Sequence, residues 1–435
     1  MTAPETEPAG TPARRAALRL LDAVLRRGLP LEAALSASTG VLKRPDDRGL
    51  ARAIASEALR RLPDLDALID SATSKPLPDD AKARFALRIA LVQALAMNTP
   101  PHAAIATALP LVDGGPRRLV HGVFGTLMRG GATLPELPHL PTPVWARWQV
   151  WGEAAVEAAR HGLAGRPPLD LTLADASATA TWAERLGASS LIPGHLRLEA
   201  SDVTALPGYE EGAWWVQDMS ASLPARLLGR PSDGGTALDL CAAPGCKTLQ
   251  LAAAGWDVTG VELAPTRLAR LRENLIRTAL PAALVEADVM KWRPPASVDA
   301  LLLDAPCSAT GIYRRHPDVL HRVRPAAIAE LATQQAAMLA RAAEWVKPGG
   351  KLVYAVCSLE PQEGERVAAG VGAAAGLTVD PIGADELPAG LSPTTEGWLR
   401  IPPGALAEAG GCDGFFIAVR EVLMRQVLMP GGAWG

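Results

Sequence analysis

The chain has 435 residues, 49% of them apolar and 20% charged; the length predicts two or three folded units, and the balance excludes a disordered chain, which needs low hydrophobicity and high charge. The net charge of −3 does not point to nucleic acid, but residues 1–140 hold 18 Lys and Arg against 14 Asp and Glu, a mild basic bias that permits a polyanion partner. Apolar runs such as 249–256 fall short of the roughly 18 residues a membrane helix needs, and the first residues lack the apolar stretch of a secretory signal, so a cytoplasmic protein with no membrane partner is expected.

Residues 1–13, rich in Pro, Ala, Thr and Glu, read as a disordered tail. Residues 14–130 read as an all-α domain. Ala17, Leu18, Leu20, Leu21, Val24 and Leu25 recur at helical period, and similar stripes run through 48–62, 81–97 and 117–130. Acidic loops at 45–47 and 78–80 stand where helices start. Residues 131–143 are Pro-rich and read as a linker. Residues 144–216 predict a small α/β subdomain: a helix carrying Trp145 and Trp148 on one face, then strand-like pieces LDLTL, HLRLEA and AWWVQD around a helix near 178–186.

From 217 to 435 the pattern changes. TALDLCAAPG, DVTGVEL, AALVEADV, VDALLLDAP and GGKLVYAVCS are apolar strand-like segments, with helical segments at 246–255, 265–279 and 326–346 between them. That alternation predicts a Rossmann-like, doubly wound, mainly parallel sheet, whose ligands bind at the carboxyl ends of the strands.

The loops after those strands carry the chemistry. Cys241, Ala242, Ala243, Pro244, Gly245, Cys246 and Lys247 follow the first strand. Small residues there let the backbone approach a ligand, and the next helix offers free N–H groups. Neither G-x-G-x-x-G nor a phosphate-cradling P-loop occurs, which weakens nucleotide-phosphate readings. Glu262 ends the second strand, where a carboxylate accepts ribose hydroxyls; Asp288 ends the third, where it meets an adenine amine; Asp304 ends the fourth. Together they describe a nucleoside pocket without a phosphate cradle, and S-adenosylmethionine, with its cationic sulfonium, fits it. The competing reading is that such residues merely cap helices.

The five cysteines, Cys241, Cys246, Cys307, Cys357 and Cys412, form no C-x-x-C pair, and the seven His show no H-x-x-x-H spacing, so no metal site is expected. Cys307 and Cys357 follow the fourth and fifth strands, at the same rim as the pocket. That position points to nucleophilic chemistry rather than to core thiols.

LDLCAAPGCKT, DAPCSATG, YAVCSLEPQEGE, the late Asp413-Gly414-Phe415-Phe416 and VQDMSAS at 216–222 resemble the Sun/Nop family of RNA 5-methylcytosine methyltransferases, in that family's order. The helical front, best in LRIALVQALAMNTPPHAAI, resembles the NusB-like RNA-binding domain of bacterial RsmB-like members. The resemblance implies S-adenosylmethionine as cofactor and RNA as substrate (ribosomal RNA first, transfer RNA second); nothing in the sequence points beyond a monomer. It makes Cys357 the attacking thiol, Cys307 the residue that resolves the covalent adduct, and places Asp304 near cofactor and base. The base must leave its stack to reach a thiol, and Arg314 and Arg315, just past the DAPCSATG loop, are placed to meet phosphates. The chain departs from the family pattern in four places. Cys246 stands at the second Gly of A-A-P-G-G-K, Glu262 at the commoner Asp, Gly364 between Glu363 and Glu365, and no asparagine closes the last helix of the helical domain. A catalytically silent RNA-binding or ribosome-assembly protein with the same fold is the alternative; a methyltransferase acting on protein or a small molecule would have no use for two rim thiols.

Overall fold

The computed structural model describes residues 8–199, 202–372 and 375–422. The chain opens with helices α1 (Thr11–Leu25), α2 (Leu31–Thr39), α3 (Pro45–Arg60), α4 (Leu62–Ser71), α5 (Lys82–Ala96), α6 (Pro101–Ala108), α7 (Gly114–Arg129), α8 (Thr142–Trp148) and α9 (Glu153–Ala164). There follow β1 (Leu169–Leu173), α10 (Thr179–Leu186), β2 (His195–Leu198), β3 (Trp214–Val216), α11 (Met219–Arg226), β4 (Thr236–Leu240), α12 (Cys246–Ala253), β5 (Asp257–Glu262), α13 (Pro265–Thr278), β6 (Ala283–Glu286) and β7 (Val298–Asp304). The chain continues with α14 (Val319–Arg322), α15 (Pro325–Ala343), β8 (Val346–Val356), α16 (Glu365–Val371), β9 (Leu377–Val379), β10 (Leu399–Ile401) and β11 (Phe415–Val422). Two compact units result: the described residues up to Arg166 with Ile312–Arg324, and Pro167–Gly311 with the described residues from Pro325. Among the described residues no helix is long and apolar enough to cross a membrane.

The first unit is helical. Ala17, Leu20, Leu21 and Val24 of α1 pack against Ile54, Ala58 and Leu59 of α3 and Ile89 of α5 in one core, each fully buried Leu, Ile or Val contributing about 1.5–3 kcal/mol. α1 starts at Thr11, earlier than the expected tail boundary at residue 13, because Pro12 suits the first helical turn; residues 1–7 of that tail lie outside the described residues. α5 is more central than an amphipathic stripe implies. Arg84 and Arg88 lie on it at 2% exposure each. Asp66 takes both Arg88 Nε and Nη2 at 2.8 Å, and Asp70 takes Arg84 at 2.5 Å, so the buried guanidinium groups are paired.

The predicted small subdomain 144–216 divides at Arg166. α8 and α9 belong to the helical unit, whereas β1–β3 belong to the second. Trp145 and Trp148 do not share a buried face as expected: Trp148 is buried and lies 5.2 Å from the Tyr313 ring, while Trp145 is 49% exposed.

In the second unit β2, β1 and β3 form a small antiparallel sheet, closed by Asp170, which holds Arg197 through both carboxylate oxygens at 2.7 Å. The large sheet has the order β10-β11-β8-β7-β4-β5-β6, with β9 paired to β11. The five predicted strands are its parallel part. β11 runs antiparallel to β8, β9 and β10, a lobe that strand–helix alternation does not foretell. Side chains alternate across the sheet. Leu301 and Leu303 face a core with Met338 and Leu339 of α15; Ala300 and Leu302 face the opposite core with Leu223 of α11 and Leu251 of α12. The order reverses between β4 and β7, so the crevice for a ligand lies at their carboxyl ends.

Candidate active site

Gly245 shapes the loop after β4. It has φ 107°, and a Cβ there would stand 2.1 Å from Leu271 Cδ1, so the backbone needs a residue without a side chain. Cys246 is the first residue of α12, and its thiol donates to the Val216 carbonyl at 3.5 Å. The side chain at the departing position is thus accommodated.

Asp239, Glu262 and Asp304 gather around this loop. Asp239, one residue before the end of β4, is fully buried; Thr248 Oγ1 donates to its Oδ2 at 2.6 Å. Its Oδ1 has no hydrogen-bond partner among the described residues. Burial pushes this carboxyl up to about 7, against the Thr248 hydrogen bond, and Asp304 adds to the rise. Glu262 is buried and accepts from Ala264 N at 3.0 Å and Ala243 N at 3.3 Å. Its Oε2 also faces Arg267 Nη1 at 3.4 Å, which leaves Oε1 with a second acceptor site to offer. Asp288 is half-buried and accepts from Met290 N at 2.9 Å, so it caps its own turn. An unpartnered buried carboxyl oxygen beside an open-backbone loop suits a cationic, hydroxyl-bearing ligand, and the residues present fit S-adenosylmethionine.

Lys247 is buried at the start of α12, and its Nζ lies 2.7 Å from Asp304 Oδ2 and 5.5 Å from the Phe415 ring centre. Burial alone would lower the Lys247 pKa; Asp304 outweighs it, and Cys357 adds to the rise. The two expected thiols converge: Cys307 Sγ lies 3.5 Å from Cys357 Sγ. The Cys307 thiol is pushed well above its ordinary value, first by the hydrogen bond to Cys357, then by burial. Gly311 N donates to the Cys357 carbonyl at 3.0 Å, and Gly414 N to the Gly311 carbonyl at 2.9 Å. The late D-G-F-F segment thereby braces the thiol loops.

Sequence reasoning gave Asp239 no role of its own and named Glu363 only as part of a family motif, without its serine partners. Glu363 is fully buried and receives Ser308 N at 2.8 Å and Ser358 Oγ at 2.5 Å. The available signal was a serine directly after each rim cysteine. Asp218 of VQDMSAS caps α11 and accepts from Asp413 N at 3.1 Å, which joins two motifs far apart in the chain.

Arg314 and Arg315, expected to meet phosphates, are less accessible than that role implies. Both belong to the helical unit. Arg314 is 7% exposed and its carbonyl accepts from Arg60 at 2.6 Å; Arg315 is half-buried. Their segment is tied into that unit by Asp318, which accepts from Leu31 N at 3.3 Å, and by His321 Nε2, which donates to the Leu59 carbonyl at 2.7 Å. Among the described residues no group of His, Cys, Asp and Glu could hold a metal.

A family model described as 16S rRNA methyltransferase RsmB/F matches residues 226–419, and the NusB family model matches residues 11–121. Ribosomal RNA small subunit methyltransferase B of Xanthomonas campestris pv. campestris is 33% identical, over 96% of this chain and 99% of its own length. The solved structure of a protein called PH0851 superposes with a TM-score of 0.73 at 20% identity, over 97% of this chain and 99% of that one. NSun6 from Pyrococcus horikoshii, solved with SFG, superposes with a TM-score of 0.56 at 18% identity, over 65% and 98%. At those identities the two structures speak to the fold.

Proposed function

The chain belongs to the RsmB/F family of 16S ribosomal RNA methyltransferases, and we propose that it methylates carbon 5 of cytosine in that RNA through a transient bond from Cys357 to the base. The observation that carries this reading is the 3.5 Å approach of Cys307 and Cys357 sulfurs at the rim beside the Lys247–Asp304 pair.

Carbon 5 of cytosine is a poor nucleophile. Addition of the Cys357 sulfur to carbon 6 turns carbon 5 into an enamine-like centre that can be methylated. Lys247 brings a positive charge within electrostatic reach of that sulfur. Cys307 Sγ stands 3.5 Å from the Cys357 sulfur, which suits it to act when the adduct resolves. A solvent base then takes the carbon 5 proton, the electron pair of that C–H bond restores the double bond between carbons 5 and 6, and the bond from carbon 6 to sulfur breaks, releasing Cys357 as a thiolate. S-adenosylmethionine, when bound, supplies a methyl group on a sulfonium. We assign its methionine end to the 241–247 loop and its ribose to Glu262, with Asp288 toward the adenine. The NusB-like helical unit is assigned to RNA.

Bisulfite sequencing of RNA treated with the protein tests the reaction. Methylation at a defined cytosine is expected with the parent chain, and none with Cys357→Ala. Cys307→Ala should leave a protein–RNA complex that survives a denaturing gel. A complex that forms with Cys357→Ala instead reverses the two roles, and methylation at a base other than cytosine removes the reading.

A further inference from the structure

Each rim cysteine is followed by a serine, and both serines end on one carboxyl. Glu363 lies in the turn after β8 with its side chain fully buried. Its Oε1 accepts from Ser308 N at 2.8 Å and from Gln335 Nε2 at 3.1 Å. Its Oε2 accepts from Ser358 Oγ at 2.5 Å and from Ser308 Oγ. The two serine hydroxyls are themselves 3.1 Å apart. The carboxyl is fixed from behind: Tyr354 OH donates to the Glu363 carbonyl at 2.5 Å, and Gln335 Nε2 also donates to the Pro306 carbonyl at 2.8 Å. Ser358 Oγ further accepts from Glu360 N at 3.0 Å.

We propose that Glu363 is the positioning residue that clamps the two thiol loops together, so that Cys307 and Cys357 stand at working distance for the adduct chemistry described above. The proposal rests on that chemistry for its purpose, but not for its geometry. Two loops that leave different strands have no covalent reason to hold their sulfurs in register. A carboxyl can accept four hydrogen bonds at once, and here the donors come from the residue after each cysteine and from α15. Glutamine keeps the shape but presents one N–H₂ group to donors, which leaves buried polar groups facing one another. Gly364 lets the arrangement close: a Cβ there would stand 2.4 Å from Arg400 Nη2 and 2.8 Å from the Phe416 ring. Arg400 in turn donates to the Ser358 carbonyl at 2.6 Å, bracing the same loop from the β10 side.

Dibromobimane, which fluoresces when it bridges two neighbouring thiols, reads the pairing directly and without RNA. The full chain is compared with Glu363→Gln, using Cys307→Ser as the zero reference. Glu363→Gln is expected to bind S-adenosylmethionine within about twofold of the parent, to bridge about tenfold less, and to methylate with kcat down about a hundredfold at nearly unchanged RNA KM, as a displacement of about 1 Å between reacting groups would produce. Bridging at the parent yield overturns the proposal, because a merely structural carboxyl would leave the thiols paired in whatever fraction folds. Should Glu363→Gln fail to fold, the Ser308→Ala/Ser358→Ala double variant decides: reduced bridging supports the clamp, parent bridging overturns it. A parent chain that bridges but methylates no cytosine would remove the functional reading above and leave the bridging result to decide the clamp.

Discussion

Replacing Asp239 with asparagine separates a buried charge from its shape. The carboxyl is fully buried, and burial raises it from 3.8 to about 7, against the Thr248 hydrogen bond. The folded chain therefore holds this proton more tightly than the unfolded chain does. The associated stability is fully present below the unfolded value of about 3.8, falls as pH rises, and levels off above about 7. Each pH unit in that window is worth about 1.4 kcal/mol, so the parent loses about 2–3 kcal/mol between roughly pH 5 and pH 7 from this group. Asparagine does not titrate. Its extra buried N–H donor, facing the place where Oδ1 has no partner, costs about 1–3 kcal/mol, the same at every pH. The variant's stability relative to the parent should thus climb by about 2–3 kcal/mol across the window, or about 5–10 °C in Tm for a unit of this size. Scanning calorimetry of the two ligand-free chains at about pH 5, 6, 7 and 8 measures it. Two curves that stay parallel with pH would refute the buried, proton-retaining carboxyl.

Gly245→Ala should destabilise the second unit by about 1–3 kcal/mol, because φ is 107° and the added Cβ meets Leu271 Cδ1 at 2.1 Å. Urea unfolding checks this; a midpoint equal to the parent's contradicts the packing, and Leu271→Ala in the same chain should recover part of the loss. Asp304→Asn removes the charge 2.7 Å from the buried Lys247 ammonium. Methyl transfer should fall about a hundredfold or more, with stability lower by about 1–2 kcal/mol. Single-turnover rates and calorimetry separate the two, and parent-like turnover would take Asp304 out of the site.

Much of this was legible because local periodicity reports burial. The α1 stripe Ala17, Leu20, Leu21 and Val24 is one buried face, and β4, β5, β7 and β8 are apolar runs covered on both faces, whereas β6, at the sheet edge, is only partly covered. Strand ends could be read as well, since Glu262, Asp304 and the 241–247 loop follow from where each run stops. Other features escaped. β10 spans three residues and β11 pairs with β8 some sixty residues earlier in the chain, a non-local match with no periodic trace. Arg314, read as placed to meet phosphates, is 7% exposed, since burial of a charged residue depends on partners supplied elsewhere.

The order of residues alone determined that a helical front precedes a doubly wound sheet, and that two cysteines and three carboxylates stand at strand ends, because pattern and strand direction are local properties. Tertiary structure alone decided that the two sulfurs come within 3.5 Å of each other, that Lys247 meets Asp304, and that Glu363 binds the serine beside each thiol. Those are distances between loops that leave different strands, and they follow from how the sheet orders its strands and how the buried donors find acceptors, which no stretch of neighbouring residues encodes.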